Sequence, residues 1–118
     1  MRRGFAAIFL AGMFASLALG QSGAGLGSIS GIVQDPSKAA VPGAVVVVSN
    51  DSKGVRRTLE TNSQGAFTAP ALIPAEGYVV NVTKVGFSTY QAMGIMVAVG
   101  ENVDLHIELA VAGAEASV

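Results

Sequence analysis

Residues 41–67 read VPGAVVVVSNDSKGVRRTLETNSQGAF. Three kinds of signal alternate in this stretch. Pro42-Gly43 marks a turn, because proline fixes φ and glycine accepts positive φ. Ala44 to Ser49 follows, with four consecutive valines at 45–48. A run that apolar and β-branched predicts a strand covered on both faces or lying in the centre of a sheet. Asn50-Asp51-Ser52-Lys53-Gly54 then forms a tight connection, with Gly54 suited to the left-handed position. Val55 to Thr61 alternates, placing Val55, Arg57, Leu59 and Thr61 on one face. An arginine on the less polar face predicts an edge or partly solvated strand. Asn62-Ser63-Gln64-Gly65 is a second hairpin turn, after which Phe67 re-enters the core.

The same grammar extends outward in both directions. Ser28 to Val33 is a strand ended by Asp35-Pro36-Ser37-Lys38. Downstream, Pro70 is expected to stop the strand that starts at Ala66, and Leu72-Ile73-Pro74 forms an apolar corner. Gly77 restarts the chain into Tyr78 to Thr83, with Tyr78, Val80 and Val82 on one face. Gly86 kinks the chain into a short strand, Gly86 to Tyr90, and Ile95 to Val99 is a further apolar piece. Val103 to Val111 has the cleanest period of two. There Val103, Leu105, Ile107 and Leu109 point one way, and Asp104, His106 and Glu108 the other. After residue 20 nothing has helical spacing, and glycine or proline interrupts nearly every ten-residue window. The reading is all-β, with seven or eight short antiparallel strands packed as two sheets.

The turn residues also carry a resemblance. Gly31-Ile32-Val33-Gln34-Asp35-Pro36, Val41-Pro42-Gly43-Ala44-Val45-Val46-Val47, and Thr61-Asn62-Ser63-Gln64-Gly65-Ala66-Phe67 follow one another in the order seen in the carboxypeptidase regulatory-like family. Gly77-Tyr78 and Val85-Gly86-Phe87 extend the similarity, which covers about residues 27–111. One departure is the loop Pro74-Ala75-Glu76-Gly77, which holds one residue more than the usual turn. The resemblance implies a seven-stranded, transthyretin-like (prealbumin-like) Greek-key sandwich. It implies a function only weakly, since the matching residues are turn and core residues. In metallocarboxypeptidases such a module stands beside the zinc enzyme, whose His and Glu constellation is missing here. Similar modules open TonB-dependent outer-membrane receptors.

The chain has 118 residues, which allows one domain. Arg2 and Arg3, the apolar run from Phe5 to Leu19, and Ala18-Leu19-Gly20 have the three parts of a secretory signal. Cleavage is expected between Gly20 and Gln21. The alternative is a retained anchor, although the run is short of the roughly 20 apolar residues a span takes. The expected organisation is a signal peptide over 1–20, a flexible leader over 21–27, the sandwich over 28–111 and a tail over 112–118. The mature chain would hold no transmembrane segment. Losing Arg2 and Arg3 leaves five basic and eight acidic residues, a net charge of −3. A charge so weak and mixed gives no argument for nucleic acid. There is no cysteine, so neither disulfides nor a lipoprotein cleavage site exist.

Candidate chemistry is sparse. His106 is the only histidine, and Asp104, His106 and Glu108 share a strand face. That spacing could hold a loose divalent metal, but a solvated polar face is the preferred reading. No serine has a nucleophile-elbow context, so no catalytic residue and no cofactor is assigned. Gly23-Ala24-Gly25-Leu26-Gly27 precedes no helix and makes no phosphate cradle. Residues 28–33 contain no lysine to donate an isopeptide bond. Asn50-Asp51-Ser52 and Asn81-Val82-Thr83 are formal glycosylation sequons, read as chance occurrences. Tyr78, Tyr90 and Phe87 could form a sugar platform, but core packing is the better reading for them. The structural turn residues are Pro42, Gly43, Gly65, Gly77 and Gly86.

Two functional expectations follow. The first is an exported, non-catalytic structural or interaction module in the periplasm or at the outer membrane. It would act by sheet-edge pairing or loop contacts, with a TonB-dependent receptor or transport component as the implied partner. No plug or barrel follows the module, so it is expected to be either a short stand-alone relative or the leading piece of a longer frame. The second is an independent carbohydrate-binding module.

Overall fold

The computed structural model describes residues 25–113. The signal segment 1–20, its cleavage site, leader residues 21–24 and tail residues 114–118 lie outside the described residues. Among the described residues seven strands form two sheets: β1 (Gly27–Gln34), β2 (Val45–Asn50), β3 (Val55–Glu60), β4 (Ala66–Leu72), β5 (Ala75–Thr83), β6 (Tyr90–Val97) and β7 (Asn102–Glu108). One sheet has the order β4-β1-β7 and the other β3-β2-β5-β6. This is the all-β, seven-stranded sandwich anticipated above.

The core lies between the sheets and is built by alternation. Ile29 and Val33 of β1, Val46 and Val48 of β2, Tyr78, Val80 and Val82 of β5, and Ile107 of β7 are fully buried. The four valines belong to a central strand, with β3 on one side and β5 on the other. Val46 and Val48 face the core, while Val45 and Val47 are half-buried on the outer face. Gly31 falls on the inward stripe of β1 beneath Phe67. A Cβ there would stand 2.8 Å from the phenyl ring and 2.9 Å from the Leu105 carbonyl. Glycine is what allows that ring to approach the strand so closely.

Two turns are held by side chains. The Thr61 hydroxyl donates to the Val41 carbonyl (2.7 Å) and accepts from the Ala44 amide (2.9 Å), clamping the Pro42-Gly43 turn. Asn62 Oδ1 accepts from the Gln64 and Ala66 amides at 2.8 and 3.0 Å. Gly65 completes that hairpin at φ 75°. Its carbonyl accepts from the Val33 amide at 2.8 Å.

Several local expectations need correction. One strand pair is parallel: β1 and β7 align from Ser28↔Asn102 to Gln34↔Glu108. The chain spends β6 in the opposite sheet and returns through residues 98–101, so it reaches β1 running in the same direction. Period-two alternation is identical in both directions and cannot reveal this. Pro70 does not stop β4, which runs on to Leu72. β4 is an edge strand, where a missing donor is tolerated. Arg57 of β3 bonds the Pro70 and Ala71 carbonyls at 2.7 and 3.0 Å, tying the edges of the two sheets together.

Gly77 lies inside β5, not before it. At φ 88° it sits where the β5–β6 register shifts, so the extra residue of the 74–77 segment is absorbed as a bulge. In place of the expected pieces at 86–90 and 95–99 there is one strand, β6, over Tyr90–Val97 and bulged at Gly94 with φ 70°, while residues 86–89 belong to the turn before it. Gly27 is buried in β1 and is not part of a flexible leader.

Candidate functional site

Asp104, His106 and Glu108 do lie together on the outer face of β7, but they do not converge. Alternate residues of a strand stand about 7 Å apart and point in parallel. Each engages a different partner on β1 or in the turn that follows it. Asp104 accepts from Ser30 Oγ at 3.5 Å, His106 Nε2 lies 3.1 Å from Gln34 Oε1, and Glu108 pairs with Lys38 at 3.4 Å. Among the described residues no three His, Asp or Glu side chains are grouped to hold a metal ion. The arrangement is a solvated polar ladder.

The aromatic residues separate. Tyr78 is fully buried and donates its hydroxyl to the Ile73 carbonyl. Burial pushes its pKa up, against a smaller lowering by Arg57. It cannot serve as a platform. Phe87 and Tyr90 are half-buried against the core. Of the two sequon asparagines, Asn50 is buried, with its amide donating to the Glu76 carbonyl at 2.9 Å. Asn81 accepts from Gln91 at 2.9 Å.

A cleft of about 390 Å³ opens at one end of the four-stranded sheet, lined by Gly43, Val45, Thr83, Lys84, Val85, Phe87 and Thr89. Its geometry grows from turn residues. Val45 of β2 lies opposite Thr83 of β5 and forms the base. The chain leaving β5 turns back at once, with the Phe87 amide bonded to the Lys84 carbonyl at 3.0 Å and Gly86 at φ 93°. The segment after β7 fixes this turn, since Ser88 donates to the Ala110 carbonyl (2.8 Å) and Ala112 to the Gly86 carbonyl (3.0 Å). Gly43 at φ 73° forms the facing wall. A Cβ at Gly43 would come within 3.2 Å of Lys84 Nζ, so the amine folds over that turn.

Pro42, Gly43 and Gly86 therefore shape this recess as well as the fold. Lys84, Thr83 and Thr89 were not singled out from the sequence. The available signal was the lysine directly before the Val85-Gly86-Phe87 motif.

A second feature is the edge of β7, which pairs only with β1 among the described residues. β4 holds Pro70 and β6 is bulged, and both backbone devices discourage strand addition, while β3 is tied to β4 through Arg57. β7 has no proline, glycine or bulge over its seven residues. Leu109 donates to Gln34 O at 2.8 Å. By alternation, the backbones of Asp104, His106 and Glu108 face the open side.

The profile of the carboxypeptidase regulatory-like domain matches residues 28–110. The chain belongs to this family. Solved structures share its sandwich at low identity. The Bacillus anthracis TIE protein has a TM-score of 0.59 at 22% identity, over 74% of this chain and 17% of its own. A candidate carbohydrate-binding protein of Bacteroides uniformis has a TM-score of 0.56 at 16% identity, over 70% of this chain and 40% of its own. Catechol 1,2-dioxygenase from Pseudomonas arvilla has a TM-score of 0.61 at 12% identity, over 79% of this chain and 54% of its own. This chain thus spans less than two thirds of each. At such identities the likeness establishes the fold alone. No curated protein matches the sequence.

Proposed function

We propose that this family member is an exported, non-catalytic interaction module of the bacterial cell envelope that binds a protein partner by strand addition at β7. The observation that carries the reading is the contrast among the four sheet edges. β4 holds Pro70, β6 is bulged and β3 is tied to β4 through Arg57, while β7 offers seven regular residues with outward backbone donors and acceptors. Asp104, His106 and Glu108 on its outer face would select among partner strands by charge. A TonB-dependent receptor or transport component is the proposed partner, on the family resemblance. The test is co-isolation of such a component with the tagged chain from envelope fractions. Asp104→Pro removes an outward donor while sparing the ladder to β1, so the folded variant should lose the component. Retention by that variant would refute edge pairing.

A second reading, carbohydrate binding, is favoured by the cleft beside Lys84. Its volume lies near the low end of the roughly 300–1,000 Å³ typical of small-molecule sites.

A further inference from the structure

Lys84 is placed unlike the other cations whose contacts are defined. Lys38 pairs with Glu108, and Arg57 is spent on the carbonyls of β4. Lys84 is half-buried, folded against the Gly43 turn, and has no hydrogen bond or ion pair among the described residues. Among the described residues no carboxylate lines the cleft it overhangs. A half-buried cation with no counter-charge among the described residues is available to pair with a bound anion. The rest of the lining specifies more than charge. The Thr83 and Thr89 hydroxyls are exposed and bond no protein group among the described residues, while Val45 and half-buried Phe87 supply apolar surface.

We propose that this cleft binds a carboxylate-bearing sugar, a hexuronate, with Lys84 Nζ on the carboxylate. The Thr83 and Thr89 hydroxyls bond ring hydroxyls, and the C–H face of the ring lies over Val45 and Phe87. Lys84, Thr83, Thr89, Val45 and Phe87 then each have a chemical counterpart on one small ligand. An acidic peptide would use only the lysine, and its extended backbone fits a sheet edge better than this short cleft. The proposal rests on the carbohydrate reading of the cleft and adds the requirement for an acid.

The test is a two-dimensional NMR titration of the exported chain with D-galacturonate, D-galactose and a glutamate-containing tripeptide in parallel. Galacturonate should shift the amides of Gly43 and of residues 83–89, with galactose at least about tenfold weaker. Lys84→Met should weaken galacturonate by about tenfold or more while leaving distant amides unmoved, and Lys84→Arg should retain binding. Equal binding of galactose and galacturonate at these amides would overturn the acid requirement but keep the carbohydrate reading. Tighter binding of the tripeptide would overturn the sugar assignment. No shift with either sugar would overturn both.

Discussion

Replacing Thr61 by valine removes one oxygen and little else, yet it should be among the most destabilising single changes in the domain. Thr61 is 5% exposed. Its hydroxyl joins the Val41 carbonyl to the Ala44 amide across the Pro42-Gly43 turn. Its own backbone adds bonds to Gly43 N and Ala44 O, both at 3.0 Å. Valine preserves the volume and the β-branch, so no cavity forms. It leaves a buried N–H and a buried C=O without their partner, at about 1–3 kcal/mol for each such group. Allowing for some relaxation of the turn, the net loss should be about 2–4 kcal/mol. That corresponds to roughly 10–25 °C in melting temperature for a domain of this size. Thr61→Ser keeps both bonds and should cost only about 1 kcal/mol, for the lost methyl. Urea denaturation followed by far-ultraviolet circular dichroism measures both variants. If Thr61→Val lies within about 0.5 kcal/mol of the parent, or Thr61→Ser is the worse of the two, the clamp is not what holds this turn.

Gly65→Ala combines a left-handed φ with a Cβ that would stand 2.4 Å from the Val33 carbonyl. It should lose more than about 2 kcal/mol in the same assay. Arg57→Met keeps the apolar stem but removes both bonds to β4; amide hydrogen exchange over residues 67–72 should quicken, and unchanged exchange would refute the bridging role. The Asp35 carboxyl is held below its ordinary value of 3.8, chiefly by Ser37 and then by the Ala39 amide. A lowered folded-state pKa favours the folded state above the unfolded value, and that contribution is lost as pH falls through the folded value. Urea midpoints should therefore drop in acid below about pH 4, and Asp35→Asn should flatten that part of the profile. Amino-terminal sequencing of the exported protein should begin at Gln21; a chain that keeps Met1 would refute cleavage there.

Much of the sandwich was legible because its signals are local. Valine runs, the period of two in residues 103–109 and the Asn62–Gly65 turn each state their conformation without reference to distant residues. What stayed hidden depended on pairing. The parallel β1–β7 ladder leaves no trace in periodicity. Pro70 signals a stop unless the strand is known to lie at an edge, where Arg57 takes up its carbonyl. Gly94 and Gly77 look like breaks because a bulge and a turn demand the same positive φ. The candidate sites divide likewise. Asp104, His106 and Glu108 were visible by spacing, and their failure to converge follows from strand geometry. The cleft sets Gly43 and Val45 against the turn of residues 83–89, so only the tertiary structure brings the two segments together.

The central claim is that this domain works by presenting the edge of β7. Photo-crosslinking in the cell envelope tests it most directly, with a photoreactive residue placed in turn at Asp104 and Glu108 of β7 and at Glu60 of β3. The account predicts one discrete adduct, from both β7 positions and not from Glu60, containing an envelope receptor or transport component. Adducts from Glu60 alone, or none from β7 in cells where the chain is exported and folded, would contradict it.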